Sequence, residues 1–306
     1  MMSREQRAKI DALLRQPQSA ETPSVEQIRA GFRALMAQMN VPAEIRTRST
    51  TLGTRPAVLV EPATPPRPGT ILYFHGGGWV YGSPETAMSL TANLVTRTGF
   101  RALSLDYRLA PEHPFPAAIE DTLNAYRALL DSGEDPSAIV FAGDSAGGGL
   151  TITTCLAARD AGLPLPAAIA AFSPGLDATR NGESIDTKAG IDPVFTREGL
   201  ARTGAMYLAG QDPHQPLLSP AVYADLRGFP PILLQAGTNE MLLDDATRLA
   251  ARARAAEVDV ILDITADVPH VFQAFNGILE EADQALDRAA LFLGQHLHNP
   301  NTGDAR

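Results

Sequence analysis

The sequence has one cysteine, Cys155, and one tryptophan, Trp79, in 306 residues. A single thiol forms no internal disulfide and no multi-cysteine metal cage, which points to a reducing, cytoplasmic compartment. Positive charge is also scarce: 25 Lys and Arg stand against 35 Asp and Glu, a formal net charge of −10. An acidic surface repels phosphate backbones and anionic lipid, so partners of nucleic-acid or membrane type are disfavoured. No stretch approaches the ~18 continuous apolar residues of a membrane span. The richest run, 163–171, is broken by Pro164 and Pro166. The first residues, MMSREQRAKIDALLRQ, lack the apolar core of a secretory leader, so none is expected. Internal repeats and single-composition tracts are missing as well. The composition left over, 44% apolar and 20% charged, is that of a folded chain rather than a disordered one.

The length is about twice the ~150-residue prior for one domain, which permits two small domains or one large α/β domain with an insertion. From residue 70 to about 295, short β-rich runs alternate with helical stretches. Strands are expected at 70–74 (TILYF), 101–106 (RALSLD), 138–142 (AIVFA), 167–172 (AAIAAF), 231–235 (PILLQ) and 258–264 (VDVILDI). Most are continuously apolar, as suits strands covered on both faces. Ile119, Leu123, Tyr126 and Leu130 recur at helical spacing, and Ser83-Pro84 reads as an N-cap and first helical position. This alternation predicts a largely parallel sheet with helices on both sides. Runs 47–51 and 57–61 would add antiparallel strands at one edge.

Two regions fall outside that core. Val25, Ile28, Phe32, Leu35, Met36 and Met39 form a helical apolar stripe that needs a surface to bury against, either the main domain or a pocket it would line. Residues 180–215 interrupt the alternation with polar sequence and then a short helix around 195–208. The expected organisation is N-terminal cap helices over 1–45, a catalytic domain over 46–298 with a cap insertion at about 180–215, and a polar tail over 299–306.

Gly143-Asp144-Ser145-Ala146-Gly147 is a G-x-S-x-G pentapeptide between an expected strand and an expected helix. A sharp strand-to-helix turn lifts a serine hydroxyl into the open, and small flanking residues allow that turn to exist. The helix N-terminus beneath it favours developing negative charge. A glycine-rich turn packed closely on the sheet would give the same letters, and the strand-before, helix-after context favours a nucleophile. His75-Gly76-Gly77-Gly78-Trp79 follows the strand at 70–74. Glycines there let backbone N–H groups point at a bound carbonyl oxygen. A phosphate-cradling loop is the rival, but the Lys and Ser/Thr of a P-loop do not follow. His75 precedes the turn and reads as structural, whereas Trp79 is either a pocket wall or a packing residue.

HGGGW, then Asp106-Tyr107-Arg108-Leu109-Ala110-Pro111-Glu112, then GDSAGG and a late histidine resemble the hormone-sensitive-lipase-like esterases, the bacterial family IV branch of the α/β-hydrolases. The likeness covers roughly residues 70–295 and extends to Leu218-Ser219-Pro220 and Tyr223-Ala224-Asp225-Leu226. It implies an α/β-hydrolase fold with a mostly parallel eight-stranded sheet, a helical cap, and cofactor-free, metal-free hydrolysis of carboxylic esters. It also implies that Gly77, Gly78 and Ala146 supply the oxyanion hole. The chain order in this fold is Ser, then acid, then His. His75 and His113 precede the serine, His214 sits in the cap region, and His296 and His298 belong to a polar tail, which leaves His270. Here Asp267-Val268 precedes it where the family more often has Gly-Met. The acid slot of the family is the first acidic residue after the strand at 231–235, here Glu240, a glutamate where aspartate is usual. Asp244 and Asp245 would instead cap the following helix.

These residues predict acyl transfer through Ser145, His270 and Glu240, with short acyl chains favoured by a pocket of Trp79, Phe32, Met36, Met206 and Tyr207. A lactonase or amidase would use the same three residues. A non-catalytic ligand-binding protein on this fold, like the plant gibberellin receptor that lacks the histidine, is disfavoured by His270. A homodimer through the last strand is expected, because Val258, Val260, Leu262 and Ile264 alternate along an edge that Asp259 and Asp263 would otherwise guard.

Overall fold

A computed structural model describes residues 2–15 and 23–297. The eight strands are β1 (Ile45–Leu52), β2 (Arg55–Pro62), β3 (Thr70–Phe74), β4 (Arg101–Leu105), β5 (Ile139–Asp144), β6 (Ala168–Phe172), β7 (Ile232–Gly237) and β8 (Val260–Thr265). They form one sheet in the order β1-β2-β4-β3-β5-β6-β7-β8. β1 pairs antiparallel with β2, and β2 with β4; every other pairing is parallel. Gly53, at φ +60°, turns the β1–β2 hairpin, a conformation that glycine adopts without steric cost.

Period-two alternation explains why the central strands read as unbroken apolar runs. Leu72 and Phe74 of β3 and Phe141 of β5 join a core under α4 (Ala117–Asp131), α5 (Ala146–Asp160) and α9 (Leu243–Ala255). Ile71, Tyr73, Val140 and Phe172 point the other way, to a core under α3 (Met88–Thr98) and α10 (Glu280–His296). With a helical layer on each face, no strand position in the centre can be polar without cost.

The remaining helices surround the sheet's C-terminal edge and one flank. α1 (Met2–Leu14) buries Ile10 in the core beside α10 and pairs Arg7 with Glu281. α2 (Val25–Met36) starts at a capping box between Ser24 and Gln27. Arg29 clamps it to the main body, donating to the Val80 and Ala110 carbonyls at 2.9 and 3.0 Å and forking onto Glu112 at 2.8 and 2.7 Å. Between β6 and β7 come α6 (Ser184–Thr187), α7 (Arg197–Leu208, capped by Thr196) and α8 (Pro220–Tyr223). Arg15 donates to the Gly190 carbonyl at 3.3 Å and so links the N-terminal segment to the 180–215 insertion.

Several expectations are corrected. Ser83-Pro84 does not start a helix: Ser83 forms a turn closed by the Thr86 hydroxyl, and α3 begins at Met88. The apolar stripe of residues 25–39 is only half-buried apart from Met39, because a clamp of charge rather than a deep seat holds α2. His296 is the last residue of α10 and packs its ring 4.6 Å from Phe292, so it is not on a tail. His298 and the expected tail at 299–306 lie outside the described residues. Among those described, no helix is long and apolar enough to cross a membrane.

Candidate active site

β3 and β5 are neighbours in register, Phe74 opposite Gly143, so the loops that leave their C-terminal ends emerge side by side. Ser145 links β5 to α5 at φ 52° and ψ −119°, a backbone state costly for a residue with a side chain. The turn is tight enough that a Cβ on Gly147 would lie 2.0 Å from the Phe74 carbonyl oxygen, so only glycine fits. Asp144 ties the two loops together, accepting from Gly76 N–H at 3.0 Å and Tyr73 OH at 2.8 Å. Burial pushes its carboxyl up to about 6. His75 is a structural residue: it stacks on Tyr107 at 4.1 Å, its Nδ1 donates to the Gly76 carbonyl, and burial holds its pKa down to about 4. The Tyr107 hydroxyl donates to the His75 carbonyl at 2.7 Å.

Gly77 and Gly78 lie at φ +121° and +59°, and a Cβ on Gly77 would meet the Tyr81 carbonyl at 2.0 Å. Among the described residues, the N–H groups of Gly77, Gly78 and Ala146 donate to no protein acceptor. They are therefore open to an acceptor from outside the chain.

The structure brings Ser145, His270 and Glu240 together. Ser145 Oγ lies 2.8 Å from His270 Nε2, and His270 Nδ1 lies 2.7 Å from Glu240 Oε2. A carboxylate only accepts, so Nδ1 carries the proton and Nε2 faces the hydroxyl as acceptor. Glu240 is fully buried, and its other oxygen accepts from Gly237 N–H at 2.6 Å and Ser173 Oγ at 3.0 Å. Ser173 Oγ in turn accepts from Val271 N–H at 2.9 Å, joining the acid loop to the histidine loop. A Cβ on Gly237 would lie 2.2 Å from the Val268 carbonyl, so those loops also meet backbone to backbone.

Asp244 and Asp245 lie in the first turn of α9 but do not cap it. Asp244 accepts from Ser184 N–H at 2.8 Å, and buried Asp245 accepts from Leu176 and Asp177 N–H at 2.6 and 2.9 Å. Asp244 serves the start of α6 and Asp245 the loop after β6, and neither set of N–H groups was foreseeable from the local pattern.

Of the five expected pocket residues, Trp79 and Tyr207 stack at 4.5 Å, with α7 also placing Thr203 near Gly78. Phe32 meets Tyr81 edge-on at 4.9 Å. Met206 packs with the same α4–α5–α9 core as Trp79 and Tyr207, whereas Met36 packs with the α3–α10 core and so stands apart from them. Sequence reasoning missed Ser173, Asp192 and Phe195, whose ring lies 4.5 Å from the His270 ring. Ser173 had a topological signal: it directly follows β6, which runs between the two strands that lead to Ser145 and Glu240. No group of three or more His, Cys, Asp or Glu among the described residues is arranged to hold a metal ion.

A family model described as alpha/beta hydrolase fold matches residues 71–274. The chain is 42% identical to an acetyl-hydrolase of Streptomyces hygroscopicus over 73% of its own length and 75% of that protein's. It is 31% identical to a carboxylesterase of Mycobacterium tuberculosis over 90% of both chains. A crystal structure of an esterase from the bacterial hormone-sensitive lipase family superposes at TM-score 0.92 and 41% identity, covering 96% of this chain and 99% of that one. Esterase EstE5, soaked with p-nitrophenyl butyrate, superposes at 0.90 and 38% identity, covering 95% and 98%.

Proposed function

The chain belongs to the bacterial hormone-sensitive-lipase family of the α/β-hydrolase fold and is a carboxylic ester hydrolase, and on that premise we propose that it works by acyl transfer to Ser145. The observation that carries this reading is the unbroken chain Oγ–Nε2, Nδ1–Oε2 from Ser145 through His270 to Glu240. His270 Nε2 takes the hydroxyl proton as Oγ attacks the ester carbonyl carbon. The carbonyl oxygen becomes an oxyanion held by the Gly77, Gly78 and Ala146 N–H groups, whose individual worth is about 3–4 kcal/mol. Collapse expels the alcohol, which receives the proton from His270, and leaves the acyl group on Ser145. Water then attacks through the same base, releasing the acid and restoring the hydroxyl. Glu240 keeps its charge throughout and stabilises the imidazolium.

The N-terminal helices together with the 180–215 insertion act as the cap, and short acyl esters are the preferred class. The aromatic pair Trp79–Tyr207 beside the glycine loop supports a restricted acyl site, as does the use of p-nitrophenyl butyrate with the neighbour EstE5. Lactones and amides pass through the same tetrahedral geometry, and the ester reading is favoured by the acetyl-hydrolase and carboxylesterase relatives. Pairing through the β8 edge and a cytoplasmic location complete the proposal; the single buried cysteine supports the latter. The test is turnover of p-nitrophenyl esters of rising acyl length. Hydrolysis should peak at short chains and vanish in Ser145→Ala. Retained activity in that variant overturns the mechanism, and a preference for long chains overturns the restricted site.

A further inference from the structure

We infer that Asp192 is a positioning residue: from the insertion, its one carboxylate holds both the backbone beside Glu240 and the turn that lays Phe195 on His270. The inference rests on the reading proposed above, in which His270 carries the proton and Glu240 stabilises its imidazolium. Asp192 is buried, with 4% of its surface exposed. Its Oδ2 accepts from the N–H of Met241, the residue after Glu240, at 2.7 Å. Its Oδ1 accepts from Val194 N–H at 2.7 Å and Phe195 N–H at 3.0 Å. The resulting turn sets the Phe195 ring 4.5 Å from the imidazole, inclined at 57°.

An aspartate that bonds the N–H groups two and three residues on is a common local turn, and that alone would need no further role. Two observations go beyond it. The bond to Met241 spans 49 positions and ends on the acid loop, where a turn has no need of it. The helix that follows starts from its own cap, Thr196, so Asp192 is not required to begin α7. A second stitch runs alongside: Ser184 Oγ donates to the Met241 carbonyl at 2.7 Å and accepts from Asp244 N–H at 3.0 Å. The insertion thus grips residues 241–244 directly.

The physical consequence follows from geometry. Burying a carboxylate costs free energy, which burial expresses here by raising the Asp192 pKa, and three N–H donors offset that cost. Such a group fixes its donors tightly. With Asp192 in place, the acid cannot drift from Nδ1 without pulling on the insertion, and the imidazole cannot tilt without meeting the Phe195 ring. A displacement of about 1 Å in a group that aligns a reacting pair costs on the order of 100-fold in rate.

The experiment compares Asp192→Ala, Glu240→Gln and the double variant on p-nitrophenyl acetate, with thermal melting of each. Asp192→Ala should lower kcat at least about tenfold and leave KM within about twofold, the pattern of lost transition-state alignment. In the Glu240→Gln background the same change should cost under about threefold, because the interaction it serves is already gone. Should Asp192→Ala fail to fold, Asp192→Asn decides: its single amide oxygen can serve Met241 or the 194–195 turn but not both, so kcat should still fall at unchanged KM. A raised KM with kcat preserved, or an equal loss in both backgrounds, overturns the role. A near-wild-type Glu240→Gln would instead overturn the assignment of the acid, and Asp192 would then be judged on its own kcat.

Discussion

Glu240 is buried, and its carboxylate is held by a small set of donors: His270, Ser173 and the Gly237 amide. Replacing it by Gln keeps the shape and removes the charge that balances an imidazolium. Steady-state kinetics of Glu240→Gln should show kcat down by orders of magnitude, as amide substitution does in the serine-protease template. Asp244→Asn should keep kcat within a few-fold and lower the melting temperature slightly, because Asp244 serves Ser184 and not the imidazole. The reverse pattern would exchange their roles. At this scale the grouping of Ser145, His270 and Glu240, which the structure brings into one hydrogen-bonded chain, was legible because motif and chain order constrain it. Ser173 and Asp192 were not, since a lone Ser or Asp in a loop gives no periodicity, and their partners lie 67 and 49 positions away.

Among the elements, the buried strands could be read directly because helices cover both faces and leave no polar position to interrupt them. The start of α3 could not, because Ser83-Pro84 has the letters of an N-cap while the Ser83 backbone N–H and carbonyl are both bonded to the Thr86 hydroxyl in a turn. α9 shows the same limit: two aspartates in a first turn look like dipole partners, yet Asp245 reaches into the loop after β6. Burial raises the Asp245 carboxyl to about 7, above the ~3.9 of an unfolded chain. The folded state therefore binds that proton more tightly, and the group's stabilising contribution is complete below about pH 4 and lost as pH rises through 7. Both donors use one oxygen, so Asp245→Asn can keep both bonds without the titration. Chemical denaturation from pH 4 to 8 should show Asp245→Asn gaining stability relative to the parent as pH rises. A pH-independent difference would contradict the buried-charge account.

At the scale of the molecule, the sheet closes one edge with the β1–β2 hairpin and leaves β8 at the other. Ile261, Leu262 and Ile264 are exposed on that strand by 52%, 36% and 41%. Asp263, expected as a guard, is neutralised by Arg288 at 2.8 Å and hydrogen-bonded by Gln235, so it no longer deters pairing. Sedimentation at micromolar concentration should show twice the 32.5 kDa chain mass, reduced to the monomer by Ile261→Lys. A single 32.5 kDa species for the parent would reject the edge as an interface.

Acyl transfer to Ser145 requires that the acyl group reside on that residue between alcohol release and hydrolysis. Acid-quenching the enzyme milliseconds after mixing with p-nitrophenyl acetate, digesting it and weighing the peptides reads that state directly. One acetyl group is expected on the peptide containing Ser145, accumulating further when water attack is slowed and missing in Ser145→Ala. An enzyme that turns over while that peptide stays unmodified, or that carries the acetyl group on another residue, would contradict it.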